Sequence, residues 1–151
     1  MYKNGGPNCV VHINGYDKLK PFGFSIHGAI DGFSRKLLWL NVVRSNKDPY
    51  TVSRLYYDWI IQGGRVPKVI RCDAGTENVL FQEIQTALRC EQVDVRAGGV
   101  CCIVGRSTGN QRIESFGVFS SGYLQSNGGT LLDTLKTSAY SLLHGKATWR
   151  I

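Results

Sequence analysis

Cysteine is scarce and badly spaced for a scaffold. The five residues Cys9, Cys72, Cys90, Cys101 and Cys102 form an odd set without a C-x-x-C pair, and His12, His27 and His144 do not stand at zinc-finger spacing. Neither a disulfide framework nor a structural zinc site is expected, and a reducing compartment suits these thiols. Long apolar runs are missing too: none approaches the ~20 residues a membrane span needs. The opening Met1-Tyr-Lys-Asn-Gly-Gly has no apolar stretch for a signal peptide. The chain is expected to be soluble and intracellular, with no membrane partner. Charged residues are sparse at 19%, too few for a disordered acidic or basic tail.

What is present is about one domain's worth of chain. Its 151 residues are 42% hydrophobic, enough for a packed core. Eighteen Lys and Arg against eleven Asp and Glu leave a net charge of +7. That balance favours a polyanionic partner such as nucleic acid, although many soluble proteins are as basic.

The hydrophobic pattern changes period along the chain. Val10–Ile13, Phe22–Ile30 and Lys36–Val43 read as three strands, with Asp31-Gly-Phe-Ser34 supplying turn chemistry between the last two. Asp48-Pro49 offers a helix start, and Val52, Leu55, Tyr56, Trp59 and Ile60 recur on one helical face before Gly63-Gly64 ends it. Val66–Cys72 predicts a fourth strand, reaching Asp73. Thr76 is the expected N-cap of a helix over Glu77–Arg89, with Val79, Leu80, Ile84 and Leu88 inward. A short strand near Val100–Val104 precedes a helix from about Thr108. The order β-β-β-α-β-α-β-α fits an α/β domain with a mixed sheet.

Two acids stand out by position. Asp73 follows an apolar strand at its carboxyl end, where open α/β sheets place ligands. Glu114 lies on the last predicted helix with Asn110 one turn before it. Taken singly, each has a plainer reading, as a turn residue and as a solvated helix face. Their surroundings decide otherwise. Ile30-Asp-Gly-Phe-Ser-Arg-Lys36, Asp73-Ala-Gly-Thr-Glu-Asn78 and Ser107-Thr-Gly-Asn-Gln-Arg-Ile-Glu114 occur in that order. Together they resemble the catalytic core of the DDE integrases of retroviruses and retrotransposons, and are nearest to versions in animal transposable elements. The resemblance covers residues 9–116. It implies an RNase H-like fold, a mixed five-stranded sheet flanked by helices, and metal-dependent DNA strand transfer or 3′-processing. Forty residues separate Asp73 from Glu114 (114 − 73 − 1), somewhat more than the family pattern has.

By the resemblance, Asp73 and Glu114 are the second and third metal-binding acids, and the cofactor is Mg²⁺ or Mn²⁺. Such enzymes hold two divalent ions about 4 Å apart, and hard ions prefer carboxylate oxygens. The first acid belongs in a His-x-Asp-Gly pattern on the opening strand. This sequence has His12-Ile-Asn14-Gly15 instead. An asparagine offers one neutral carbonyl oxygen, so weak ion binding and impaired catalysis are expected. Three other readings of Asn14 stay open. Asn-Gly is a strong hairpin-turn dipeptide; Asp17 or Asp31 could replace the missing ligand; and Asn-Gly deamidation could regenerate an aspartate. The resemblance further implies DNA contacts by Arg106, Asn110, Gln111 and Arg112, a homo-oligomer, and a nuclear location. Lys18, Lys20, Arg35 and Lys36 are expected to cluster near the first hairpin and extend a basic surface. A domesticated DNA-binding or scaffold module without catalysis is the alternative function.

After Phe116 the resemblance ends, so the core is expected to be C-terminally truncated. Residues 117–151 form an atypical tail, glycine- and serine-rich to Gly129 and then helix-like over Thr130–His144. Related domains carry tryptophans in this region. A Phe codon ending in U before Gly contains UGG in another frame, as can Asn127-Gly128-Gly129. A frameshift near residue 116 is therefore expected. The nucleotide sequence should restore a family-like helix in that frame, and early stops there would refute the idea.

Overall fold

The computed structural model describes residues 5–17, 20–63 and 65–105. The first 3 strands form a meander in which β2 is the middle strand. β1 (Val10–Tyr16) pairs antiparallel with β2 (Ser25–Asp31), which pairs antiparallel with β3 (Leu37–Val43). β1 runs three residues past Ile13, with Asn14 opposite Gly28 and Gly15 opposite His27. Asn14-Gly15 is therefore mid-strand and not a hairpin turn. The reversal comes later, through a 3-10 turn at Lys20–Phe22 and Gly23 at φ 84°. That left-handed glycine cuts the expected second strand short, so β2 begins at Ser25 and not at Phe22.

The β2–β3 reversal is stapled by Asp31. Its buried carboxylate accepts hydrogen bonds from the Asn8 amide (2.8 Å), the Ser34 amide (2.7 Å) and the Ser34 hydroxyl (2.6 Å). Burial pushes its pKa up, but the Ser34 and Asn8 bonds outweigh this and hold it below the usual carboxylate range. Asp31 is thus fully engaged at the start of β1, opposite Val11.

Asp48 opens the next element, accepting from the Tyr50 and Thr51 amides as an N-cap should. Helix α1 (Pro49–Gly63) carries the chain across to β4 (Val69–Asp73), which lies parallel to β1. Helix α2 (Val79–Arg89) then returns it to β5 (Cys102–Gly105), parallel to β4. The sheet order is β3-β2-β1-β4-β5. This is the mixed five-stranded sheet expected from the sequence. The helix expected from Thr108, and the tail, lie outside the described residues. No helix among the described residues is long and apolar enough to cross a membrane.

One sheet face, with Val11, Ile13, Ala29, Trp39, Ile70 and Cys72, packs on Val52, Tyr56 and Ile60 of α1 and Phe81 of α2. Trp39, Tyr56, Trp59 and Phe81 form a chain of tilted rings with centroids 5.6–6.3 Å apart. Each fully buried aromatic contributes about 2–3 kcal/mol by burial alone. The other face carries Val10, His12, Ile26, Ile30 and Val69, also buried. A polar bridge crosses the core: the Tyr56 hydroxyl donates to Gln85 Oε1, and Gln85 Nε2 donates to the Pro67 carbonyl at 2.8 Å. It ties α1, α2 and the entry to β4 together.

The inward face of α2 matches the expected one only in part, with Ile84 packed against the core. Phe81, Gln85 and Arg89 are buried, whereas Val79 and Leu88 are 47% and 43% exposed. Gln85 is satisfied by the bridge and Arg89 pairs with Asp94, so these polar side chains can displace valine and leucine from the core. Thr76 is not the N-cap either. It begins a 3-10 turn (Thr76–Asn78), and α2 starts after Asn78.

His27 reports on the integrity of this core. Trp39 Nε1 donates to His27 Nδ1 at 3.2 Å, and the two rings stack. Complete burial pulls its pKa down to about 4. Below the unfolded value near 6.5, the unfolded chain takes up a proton that the folded chain refuses. The stability is full above that pH and falls between pH 6.5 and about 4, by up to ~3 kcal/mol. Urea denaturation across that window should show this loss, and His27→Gln should flatten the slope; an unchanged slope would refute the assignment.

Candidate active site

The site is built where β1 and β4 end side by side. Val10 pairs with Val69, Val11 with Ile70 and His12 with Arg71. The ladder ends there, two residues before Asn14 on β1 and Asp73 on β4. Strand alternation puts His12, Asn14, Arg71 and Asp73 on one sheet face, away from the Val11–Ile13–Ile70–Cys72 core. Asn14 and Asp73 are both half-buried. Two of the three expected site residues thus share one sheet face, on strands that pair through His12 and Arg71. Glu114 lies outside the described residues, as do Arg106, Asn110, Gln111 and Arg112.

Asp73 is held by Asn78. The Asn78 amide nitrogen donates to Asp73 Oδ1 at 2.8 Å and to the Asp73 carbonyl at 3.1 Å. Asn78 is 4% exposed, so these bonds are shielded from water. This bracing fixes one carboxylate oxygen and leaves Oδ2 for a ligand. Glu77 adds a second negative charge, because its carboxylate curls back over Gly75, where a Cβ would collide with it. Arg71 lies over Gly105, the strand partner of Asp73. Cys72 faces the core, where burial pushes its thiol up to about 12. It points to the opposite sheet face from Asp73.

Asn14 is held by its neighbour. A Cβ on Gly15 would stand 2.6 Å from Asn46 Nδ2 and 2.8 Å from Asn46 Cγ. The side chain of Asn46 fills that space, donating to Asp17 Oδ1 (2.9 Å) and to the Ile26 carbonyl (3.0 Å). Glycine follows Asn14 because Asn46 needs the room. Asp17 is claimed as well: Lys20 Nζ lies 2.6 Å from it. The Lys20 bond, then Ser25 and Asn46, hold its pKa below the usual range against the cost of burial. Asp31 lies at the other end of β1 from Asn14, opposite Val11, and Asp17 is engaged by Lys20 and Asn46.

Asn46 and Asn78, the two positioning amides, were not among the residues expected from sequence. Asn78 stands inside the quoted Asp73–Asn78 string, so a signal existed; Asn46 sits in a connecting loop and gave none. The expected basic cluster separates. Lys20 follows the carboxyl end of β1, whereas Arg35 and Lys36 sit on the β2–β3 hairpin near its start, about 20 Å away along the strand. Lys18 lies outside the described residues.

The family model for the integrase core domain matches residues 1–120. The chain belongs to the integrase core domain family. Among solved structures, this integrase core is similar to the HTLV-2 integrase catalytic core domain, a dimeric form in complex with magnesium. The TM-score is 0.53 at 15% identity, over 93% of this chain and 89% of that one, which establishes the shared RNase H-like fold. No curated protein sequence matches the chain. Among the described residues of this integrase core, no group of three or more His, Cys, Asp or Glu side chains is placed to hold a metal ion.

The Gly15–Asn46 fit is directly testable. Gly15→Ala should cost about 1–3 kcal/mol, because Asn46 must give up its bonds to Asp17 and Ile26. In an Asn46→Gly background the same change should cost much less. Additive penalties in that double-mutant cycle would refute the coupling.

Proposed function

We propose that this chain is an integrase-type core acting on DNA, with catalysis impaired by Asn14 where the first acid of the motif belongs. The observation that carries the reading is the placement of Asn14. It stands mid-strand in β1 opposite Gly28, on the same sheet face as Asp73 by strand alternation, and Gly15 beside it leaves the room that Asn46 fills. The donor set fits a hard divalent ion only in part. Asp73 offers one braced carboxylate and Asn14 one neutral amide oxygen, with Glu114 the third donor by motif position. Two ions of total charge +4 would then face two carboxylates, not three. When bound, such an ion polarises the phosphodiester and activates the attacking hydroxyl. The chain's own residues supply position: Asn78 fixes Asp73 Oδ1, and Asn46 fixes the end of β1.

In this reading Mg²⁺ or Mn²⁺ is the weakly held cofactor, and Arg106, Asn110, Gln111 and Arg112 meet the DNA beside the third acid. The place of action is the nucleus, and the ancestry is a transposable element. A second copy of the chain is the further partner. Supporting this, the outer stripe of α1 exposes Tyr50, Tyr57 and Ile61 at 77%, 47% and 64%, an apolar face suited to self-association. The HTLV-2 core is described as dimeric and magnesium-bound.

Asn14→Asp is the test. Calorimetric titration with Mg²⁺ or Mn²⁺ should show at least ~10-fold tighter binding in the variant, about 1.4 kcal/mol. A 3′-processing assay on duplex DNA should show activity gained with it. Equal activity in the unmodified protein would refute the impairment.

A further inference from the structure

We propose that the end of the sheet opposite Asp73 carries a second nucleic-acid contact, formed by Phe33, Arg35 and Lys36 of the β2–β3 hairpin with Arg65 and Lys68 before β4. The inference rests on the DNA-binding reading above and adds a surface that lies apart from the Asn14–Asp73 pair. Lys68 precedes Asp73 by five residues, about 16 Å along an extended strand.

Backbone hydrogen bonds join the two segments into one surface. The Gly32 amide donates to the Val10 carbonyl at 2.8 Å and the Asn8 amide to Asp31 at 2.8 Å. The Lys68 amide donates to the Asn8 carbonyl at 3.3 Å, and Val69 to the Cys9 carbonyl at 2.9 Å. Residues 8–10 thus lie between the hairpin and the approach to β4, touching both. The hairpin is rigid because Asp31 and Ser34 staple it, and Arg35 is held at φ 63° with its amide bonded to the Asp31 carbonyl.

Charge balance argues for an anionic partner. Arg35, Lys36, Arg65 and Lys68 are all exposed, and none forms an ion pair among the described residues. The acid within the hairpin, Asp31, is buried and turned inward onto amide and hydroxyl donors. Asp94 lies within the field of Lys68, but its charge is already matched by Arg89. Four unmatched cations therefore face solvent on a fixed frame. Phe33, 55% exposed, adds an aromatic ring to the same hairpin as Arg35 and Lys36. Cations tracking a phosphate backbone beside an aromatic that can meet a base or sugar are the usual make-up of a sequence-tolerant nucleic-acid surface.

Salt-dependent DNA binding by the full chain tests it, read by anisotropy of a labelled duplex. The pairs Arg35→Ala/Lys36→Ala and Arg65→Ala/Lys68→Ala should each lower the slope of log K against log salt by up to ~2, and the quadruple variant by up to ~4. Arg35→Lys/Lys36→Arg should keep the original slope, and so should Arg54→Ala on the outer face of α1. Circular dichroism checks folding, and either pair alone suffices should the quadruple variant fail to fold. Folded variants with the original slope would overturn the proposal while leaving DNA binding intact. An unmodified chain that binds no DNA at low salt would overturn both readings. Binding of phosphatidylserine vesicles through these side chains, with no change in DNA affinity, would also overturn it.

Discussion

The parallel pairing of β1 with β4 is the constraint on which the rest of this structure depends. Parallel neighbours cannot be joined by a tight turn, so the chain must cross over between them, and β2, β3 and α1 lie in that crossover. The register that places Val11 beside Ile70 also puts both on the core face under α1 and α2. By strand alternation it sends Asn14 and Asp73 to the opposite face, at the carboxyl ends. A slip of one residue would invert every side chain of the strand. Core packing and site geometry are therefore set by one ladder, and the apolar residues that stabilise it also position the polar ones.

Asparagine does much of the fine placement. Asn46 closes the end of β1 against β2, and Asn78 braces Asp73 from the start of α2. Both are buried, both donate through Nδ2 to one carboxylate and one main-chain carbonyl, and neither carries a charge that would compete for a cation. Buried amide bracing of this kind is strong because water cannot replace it. Neutral amides hold the frame, while Asp73 keeps its second carboxylate oxygen outside the Asn78 bonds.

Much of this was legible in the sequence. α1 was foreseen nearly to the residue, because Asp48 caps it, its apolar period is regular and Gly63 closes it. The three meander strands were foreseen because turn residues separate them, with β2 trimmed by Gly23. The inward face of α2 was foreseen only at Ile84, since hydrophobicity alone cannot show that Gln85 bridges Tyr56 to Pro67 or that Arg89 meets Asp94. Asp73 could be found from its place after an apolar strand within a family-like motif. Asn46 could not, because its role depends on a contact across 31 positions with the missing side chain of Gly15. Proximity between distant loops leaves no periodic trace.

The neutral side chain at position 14 has a consequence for the protein without ions. Two carboxylates at adjoining strand ends repel, and an ion-dependent site stores that repulsion until cations relieve it. With an amide at position 14, the end of β1 adds no further negative charge to those of Asp73 and Glu77. The neutral amide thus removes one like-charge repulsion from the carboxyl end of the sheet.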